Sequence, residues 1–373
     1  MTDPLLVSAG EASADRLAAE ILRSLGTTVH AFGMGGEGTK LAGMAQTVPM
    51  SALNVMGFSA AISKIPTAHR ISQTLVREAL DRDARVALLV GTSEFNQLLG
   101  KKLRCAGLRV LFCVPPQVWA WRASRLKSLR PSVDRLAVIL PFEQPLWQSH
   151  GYDATYVGHP SLNTDVSISR ENPSGRIVIL PGSRDHEARS HAFVLADAAK
   201  LWCQASEGRH AHALISCSLS EPLRCEIRQT CRERDIEVRL VGVDGASCIL
   251  NSYDAALSVS GTATLECALS GCPPVIVYRA SWLTLRLAQA FLKTPWIGLP
   301  NIVLAESAFP ELLSANLSPT KLVGHLDTLL LDRDRMLENC DRVRSVLVEA
   351  LGPCKGKNLG FGARVAKLLD PLF

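Results

Sequence analysis

The chain has no run of about 18 uninterrupted apolar residues, so no membrane-spanning helix is expected. It has no C-x-x-C pair among its 11 cysteines. Several of these, at Cys113, Cys217 and Cys248, sit in apolar runs. That argues for reduced thiols used as small hydrophobes, and against a disulfide framework or a zinc site. The excess of one charge over the other is also small, 40 basic against 35 acidic residues. A net charge of +5 suits an anionic substrate or an acidic membrane surface but is too weak to argue for nucleic acid. The first residues, Met-Thr-Asp-Pro, enter an apolar run at once, with no basic and then apolar leader. The expectation is therefore a cytoplasmic chain.

What is present is globular. Of 373 residues, 47% are hydrophobic and 20% charged, and a chain of this length suits two domains of roughly 150–200 residues. Short runs that are apolar throughout alternate with helical patterns. Strands are expected at 5–8, 29–33, 86–90, 109–114, 136–140 and 155–158, and again at 176–180, 213–217, 238–241, 255–259 and 275–278. Each is followed by a helix-like segment, which indicates parallel sheets covered on both faces. The polar stretch at 163–174 reads as an interdomain linker. The expected organisation is α/β, with a domain at 1–165, a second at 166–345 and a helical segment at 346–373. Two doubly wound domains facing a central cleft would turn the carboxyl ends of both sheets toward their ligands.

The loops after these strands carry the chemistry. "LPGSRDHE" (180–187) runs from a strand through a Pro-Gly turn to Ser183 and Arg184 at a helix start, a natural diphosphate site. "SGTATLE" (260–266) is a second such turn; Thr262 and Glu266 fit either a ligand or a plain capping box. In the first half, Glu11, Ser13 and Asp15 lie in the turn after the first strand, and Glu94 in the turn after 86–90. The glycine-rich "FGMGG" at 32–36 has no clear acid at the ribose-binding distance and is not read as a dinucleotide site. Trp119 and Trp121 stand beside Arg122 and Arg125, a pairing that suits either a core edge or a sugar-phosphate site. His159 falls at the domain junction, and a lone histidine is more often structural. Stretches 56–71 and 279–296 are amphipathic and basic, fitting a membrane interface or an ordinary helix on a sheet.

In this order the motifs resemble lipid-A-disaccharide synthase, a glycosyltransferase of GT-B architecture. They are GEASAD (10–15), VMG (55–57), EFN (94–96), VWAWR (118–122), LPFE (140–143), VGHP (157–160), LPGSR (180–184), SGTATLE (260–266), LPN (299–301) and PELL (310–313). The resemblance implies two Rossmann-like domains. It also implies inverting transfer from UDP-2,3-diacylglucosamine to 2,3-diacylglucosamine 1-phosphate, releasing UDP, with no metal or other cofactor. UDP would be held by Ser183, Arg184, Gly261, Thr262, Ala263, Thr264, Glu266 and Asn301. The acceptor side would include Ser13, Asn96, Trp119, Arg122 and His159. The family further implies peripheral contact with the inner face of the inner membrane of a Gram-negative cell, and a homodimer exchanging its C-terminal segments.

The first domain departs from the family pattern. Where the family carries I-D-x-P-D-F-N, with its proposed base at the first aspartate, this chain reads V-G-T-S-E-F-N. Gly91 stands in the place of that aspartate, and glycine accepts no proton. The base must then be Glu94, Glu11 or Asp15, or the chain is a paralogue that binds UDP-sugar with weakened turnover or uses another acceptor. The family's S-G-D is Ser13-Ala14-Asp15 here, and no acid follows Gly57.

Overall fold

A computed structural model describes residues 3–54, 65–118, 125–163, 173–242, 247–279, 295–352 and 359–373. The chain divides into two compact units, one of Met1–Asn163 with Val348–Phe373, the other of Thr164–Leu347.

Unit 1 is built on seven strands: β1 (Asp3–Ala9), β2 (Val29–Gly35), β3 (Ala45–Pro49), β4 (Val86–Val90), β5 (Arg109–Cys113), β6 (Arg135–Val138) and β7 (Asp153–Tyr156). Their order is β3-β2-β1-β4-β5-β6-β7, and each pairing is parallel. The apolar run Val86-Ala-Leu-Leu-Val forms a strand because nothing else buries every side chain in turn; all five residues are fully buried. Unit 2 has six strands: β8 (Arg176–Leu180), β9 (His210–Ser216), β10 (Glu237–Val241), β11 (Ala255–Val259), β12 (Pro274–Arg279) and β13 (Glu311–Ser314). They run β10-β9-β8-β11-β12-β13, again all parallel. Strand order reverses between β1 and β4 in unit 1 and between β8 and β11 in unit 2. Those are the positions where doubly wound sheets leave a crevice at their carboxyl ends.

Two strands were not expected from the sequence. β3 and β13 are both outermost strands of their sheets, and neither is fully buried. An edge strand needs no run that is apolar throughout, so Ala-Gln-Thr-Val-Pro carries little signal. β6 and β7 also begin one and two residues earlier than expected, leaving the VGHP run beyond the end of β7. Cys217, expected as a core thiol, is exposed, whereas Cys113 is buried; the side chain of Cys248 lies outside the described residues.

The C-terminal helix Phe361–Leu369 belongs to unit 1, where it packs on the helix Ala12–Leu25. Gly362 makes that approach feasible: a Cβ there would come within 2.5 Å of the Glu20 carbonyl oxygen. Its N–H donates to Glu20 Oε1 at 3.0 Å.

Candidate active site

The reversal point of unit 1 is stitched shut by side chains. Ser8, near the end of β1, donates through Oγ to Asn96 Oδ1 at 2.7 Å. Asn96 Nδ2 donates to the carbonyl oxygens of Gly91, at 2.8 Å, and Val90, at 3.1 Å. The Gly10 N–H donates to Thr92 Oγ1 at 3.1 Å, tying the turn after β1 to the turn after β4. Thr92 itself sits at φ +45°, a left-handed conformation that costs a β-branched residue on the order of 1–3 kcal/mol. Asn96 is fully buried and its amide is spent on these bonds. Its hydrogen bonds shape the turn between the two strand ends.

Three carboxylates were candidates here, and the structure separates them. Asp15 is 6% exposed and accepts four hydrogen bonds. Gly36 and Gly38 donate their N–H groups at 2.7 and 2.8 Å, and Thr39 donates its N–H at 3.1 Å and its hydroxyl at 2.6 Å. Extended to Gly38, the glycine-rich run that begins within β2 at Gly33 spells G-x-G-x-x-G, which the sequence reading passed over. In a dinucleotide site such amides receive a phosphate; here an internal carboxylate fills the same role. Asp15 is therefore a latch between the first helix and the glycine-rich run, its carboxylate engaged by four donors. Glu11 and Glu94 are exposed, Glu11 as the residue before the helix Ala12–Leu25 and Glu94 in the first turn of Ser93–Cys105. Ser13 is exposed beside Glu11.

His159, expected on the acceptor side, is 4% exposed and accepts the Ser161 N–H through Nδ1 at 3.2 Å. Burial, and secondly the nearby Arg16, pushes its pKa down to about 4. In this setting it is a neutral acceptor of the Ser161 N–H. Trp119 and Arg122 lie outside the described residues, as do Val55–Gly57 with most of the stretch 56–71, and most of 279–296.

The reversal point of unit 2 is built differently. After β8, Gly182 turns at φ +109° and leads through exposed Ser183 to Arg184, which precedes the helix Asp185–Gln204. Arg184 Nη1 pairs with Glu187 Oε1 at 2.9 Å while the arginine side chain stays 65% exposed. Ser218 Oγ donates to the Ser183 carbonyl at 2.9 Å, and Asp185 accepts the Ser220 N–H at 2.9 Å. The Ser220 hydroxyl, which also donates to Asp185, and then the Ser220 N–H hold the Asp185 carboxyl below its ordinary pKa. The turn is thus braced from behind while its arginine remains presented.

Beside it, β11 ends at Ser260-Gly261, and the helix Thr262–Leu269 follows with no side-chain cap among the described residues. The capping reading of Thr262 is corrected: the hydroxyl that turns back is that of buried Thr264, donating to the Gly261 carbonyl at 2.8 Å. Exposed Gly261 has nothing within 4 Å of where a Cβ would stand. Ala263 and Glu266 are half-buried on the same helix. An uncapped helix start, an open glycine and an exposed arginine, on adjacent paired strands, make an anion-binding arrangement.

Asn301 does not join it. It is fully buried; its Oδ1 accepts the N–H groups of Ala308 and Phe309, and its Nδ2 donates to the Phe309 carbonyl and to Glu311 Oε1. Glu311, on β13, also accepts the N–H groups of Ile297 and Gly298. Ser260 Oγ in turn donates to the Ile297 carbonyl at 2.7 Å. Asn301 and Glu311 therefore anchor the 297–301 turn against the end of β11. Sequence reasoning missed this anchoring role of Glu311, and it missed His191 altogether. His191, fully buried, accepts the Arg279 N–H through Nε2 at 2.7 Å and contacts the Glu187 carbonyl through Nδ1. Burial lowers its pKa, so it stays neutral in this bridge. No cluster of three or more histidine, cysteine or carboxylate side chains among the described residues is disposed to hold a metal ion.

Comparison with known proteins bears on both units. Residues 5–353 match a family model described as lipid-A-disaccharide synthetase. The lipid-A-disaccharide synthase of Anaeromyxobacter dehalogenans is 35% identical over 348 residues, covering 89% of each chain. That of Pseudomonas aeruginosa is 31% identical over 364 residues, covering 93% of this chain and 95% of its own. Among solved structures, the glycotransferase of kitacinnamycin superposes with a TM-score of 0.62 at 15% identity, covering 100% and 99% of the two chains. MurG of Acinetobacter baumannii gives 0.57 at 13%, covering all of both. These two likenesses establish the fold, two parallel-sheet α/β domains of GT-B type.

Proposed function

The chain belongs to the lipid-A-disaccharide synthase family and is a glycosyltransferase of lipid A biosynthesis; from that premise we propose how its two units divide the reaction. Its substrates are a sugar nucleotide and an acylated glucosamine. Unit 2 takes the donor, UDP-2,3-diacylglucosamine, with the diphosphate at Ser183, Arg184 and the amides of Gly261, Thr262 and Ala263, and with Glu266 toward the ribose hydroxyls. The observation that carries this reading is the pairing of two open turns on adjacent strands, one presenting an arginine and one an uncapped helix start. Thr264 and Asn301 support the turns from within.

Unit 1 takes 2,3-diacylglucosamine 1-phosphate. The acceptor hydroxyl attacks the anomeric carbon and gives up its proton to a carboxylate at the ends of β1 and β4, for which Glu11 and Glu94 are exposed. The carbon–oxygen bond to UDP breaks, UDP leaves with the electron pair, and the anomeric centre inverts to give the β-1,6-linked disaccharide. Arg184 and the helix start offset the charge that grows on the leaving diphosphate.

Both sugars carry acyl chains, which calls for a lipid surface. Peripheral attachment to the inner face of the inner membrane completes the reading. No helix among the described residues is long and apolar enough to cross a membrane. A homodimer exchanging the helix Phe361–Leu369 is the family-based proposal for assembly, read out by sedimentation. The decisive experiment follows UDP release and disaccharide formation from the two lipid substrates, wild type beside Arg184→Ala. Turnover that collapses in the variant supports the division of labour; no turnover in either protein overturns it.

A further inference from the structure

Gly91 ends the central strand of unit 1 and turns at φ +52°. The space over it is already claimed. A Cβ on Gly91 would stand 3.1 Å from Oε1 of Glu11 and 3.4 Å from the Cβ of Ala14. The Glu11 carboxylate therefore lies against the end of β4, although Glu11 itself comes from the turn after β1. Its side chain makes no capping bond to its own helix and no hydrogen bond or ion pair to another described residue. The other carboxylates of this turn differ. Asp15 is saturated by four hydrogen bonds, and Glu94 is already engaged. The backbone beneath Glu11 is rigid, since Asn96 holds the Gly91 carbonyl and Gly10 is bound to Thr92.

We infer that Glu11 is the general base of this enzyme, reaching from the turn after β1 across Gly91 to the place a side chain at residue 91 would occupy. Glycine at 91 is then the partner that makes room for Glu11, and the carboxylate is relocated rather than lost. Glu11 accepts the proton of the acceptor hydroxyl as that oxygen bonds to the anomeric carbon and UDP departs. The inference rests on the synthase reading above.

The test compares wild type with Glu11→Gln, Glu11→Asp and the double variant Glu11→Gln with Gly91→Asp. All are assayed for UDP release from UDP-2,3-diacylglucosamine and 2,3-diacylglucosamine 1-phosphate, with UDP affinity and circular dichroism as controls for folding. Glu11→Gln should lose on the order of 10²–10⁴ in kcat with UDP affinity unchanged. Glu11→Asp, which keeps the carboxylate on a shorter stem, should fall between the two. Aspartate tolerates left-handed backbone better than most residues, and the amide of the glutamine variant, at the end of a flexible chain, can yield to it. The double variant should therefore recover at least about tenfold over Glu11→Gln. A Glu11→Gln enzyme within about threefold of wild type, or a double variant that gains nothing, overturns the inference while leaving the synthase reading standing. Absence of turnover in wild type overturns both.

Discussion

The two reversal points occupy the same place in the same kind of sheet and are finished in opposite ways. In unit 1, side chains close the turns. Ser8, Thr92 and Asn96 spend their polar atoms on one another and on backbone, and Asp15 fills a glycine-rich ring of amides with its own carboxylate. In unit 2, the corresponding turns stay open, with an unobstructed glycine at 261 and an uncapped helix start, and polar side chains brace them only from behind. On the division of labour proposed above, a base is held in one position and a diphosphate is let in to meet bare amides. The same topology serves both because the strands set only where the loops begin.

The largest effect expected from breaking this contrast is at Asp15. Asp15→Ala removes the internal anion of unit 1 and leaves amides of Gly36 and Thr39 buried without an acceptor. The expected cost is about 4 kcal/mol of stability, seen as a large fall in denaturation midpoint. Inorganic phosphate should restore part of it by entering the emptied ring. A variant as stable as wild type would show that the latch is not what closes unit 1.

Next is the exposed counterpart. Arg184→Ala should lower kcat/KM on the order of 10²-fold, about 3 kcal/mol, because a charge-assisted contact to the leaving diphosphate is removed. Stability should fall by only about 1 kcal/mol, since the arginine side chain is 65% exposed although its partner Glu187 is only 15% exposed. Asp15→Ala damages the fold and Arg184→Ala the chemistry, and equal loss of stability in both would erase the distinction between the units.

This contrast was only half visible in the sequence. Interior strands such as Val86–Val90 and Ala255–Val259 announce themselves, because a strand buried on both faces must be apolar throughout. Edge strands β3 and β13 do not, having one side free of the core. The turns were legible as strand, glycine and helix start, so Ser183, Arg184 and Gly261 could be named from spacing. Which polar side chains are already spent was not legible. Asn96 is committed to Ser8 across 88 positions and Asp15 to Thr39 across 24, and no local pattern records such partnerships. Glu11 over Gly91 is of the same kind: the gap and its filler lie far apart in the chain and meet only where β1 pairs with β4.

Acid offers a third comparison, because each unit holds a buried, neutral histidine that accepts a backbone N–H. His159 does so for Ser161 in unit 1 and His191 for Arg279 in unit 2. Both are held below the ordinary histidine pKa, His159 at about 4, so below about pH 6.5 the unfolded chain takes up more protons than the folded one. The contribution is fully present above pH 6.5 and is lost as pH falls toward 4, by up to roughly 3 kcal/mol for His159. His159→Gln should flatten the stability profile over that window; an unchanged slope would mean that His159 does not titrate with unfolding.

The smallest effect is expected at Gly261, and it sharpens the comparison most. Glycines usually mark a place where the protein itself leaves no room, as at Gly362, where a Cβ would strike a carbonyl oxygen. At Gly261 nothing lies within 4 Å of where a Cβ would stand, and what favours glycine there is the backbone itself, at φ +158°. Gly261→Ala should therefore cost on the order of 1–3 kcal/mol of stability in backbone strain, and its methyl would also stand where a diphosphate reaches the helix start. It should at the same time weaken UDP binding by about tenfold, near 1.4 kcal/mol. Calorimetric titration with UDP separates the two quantities. Unchanged affinity in the folded variant would place the diphosphate elsewhere, and the openness of unit 2 would then have another cause. The mirror substitution at Gly91 adds a methyl against Glu11 and should reduce turnover without touching UDP affinity. Together the two glycines distinguish a gap kept for a ligand from a gap kept for a side chain.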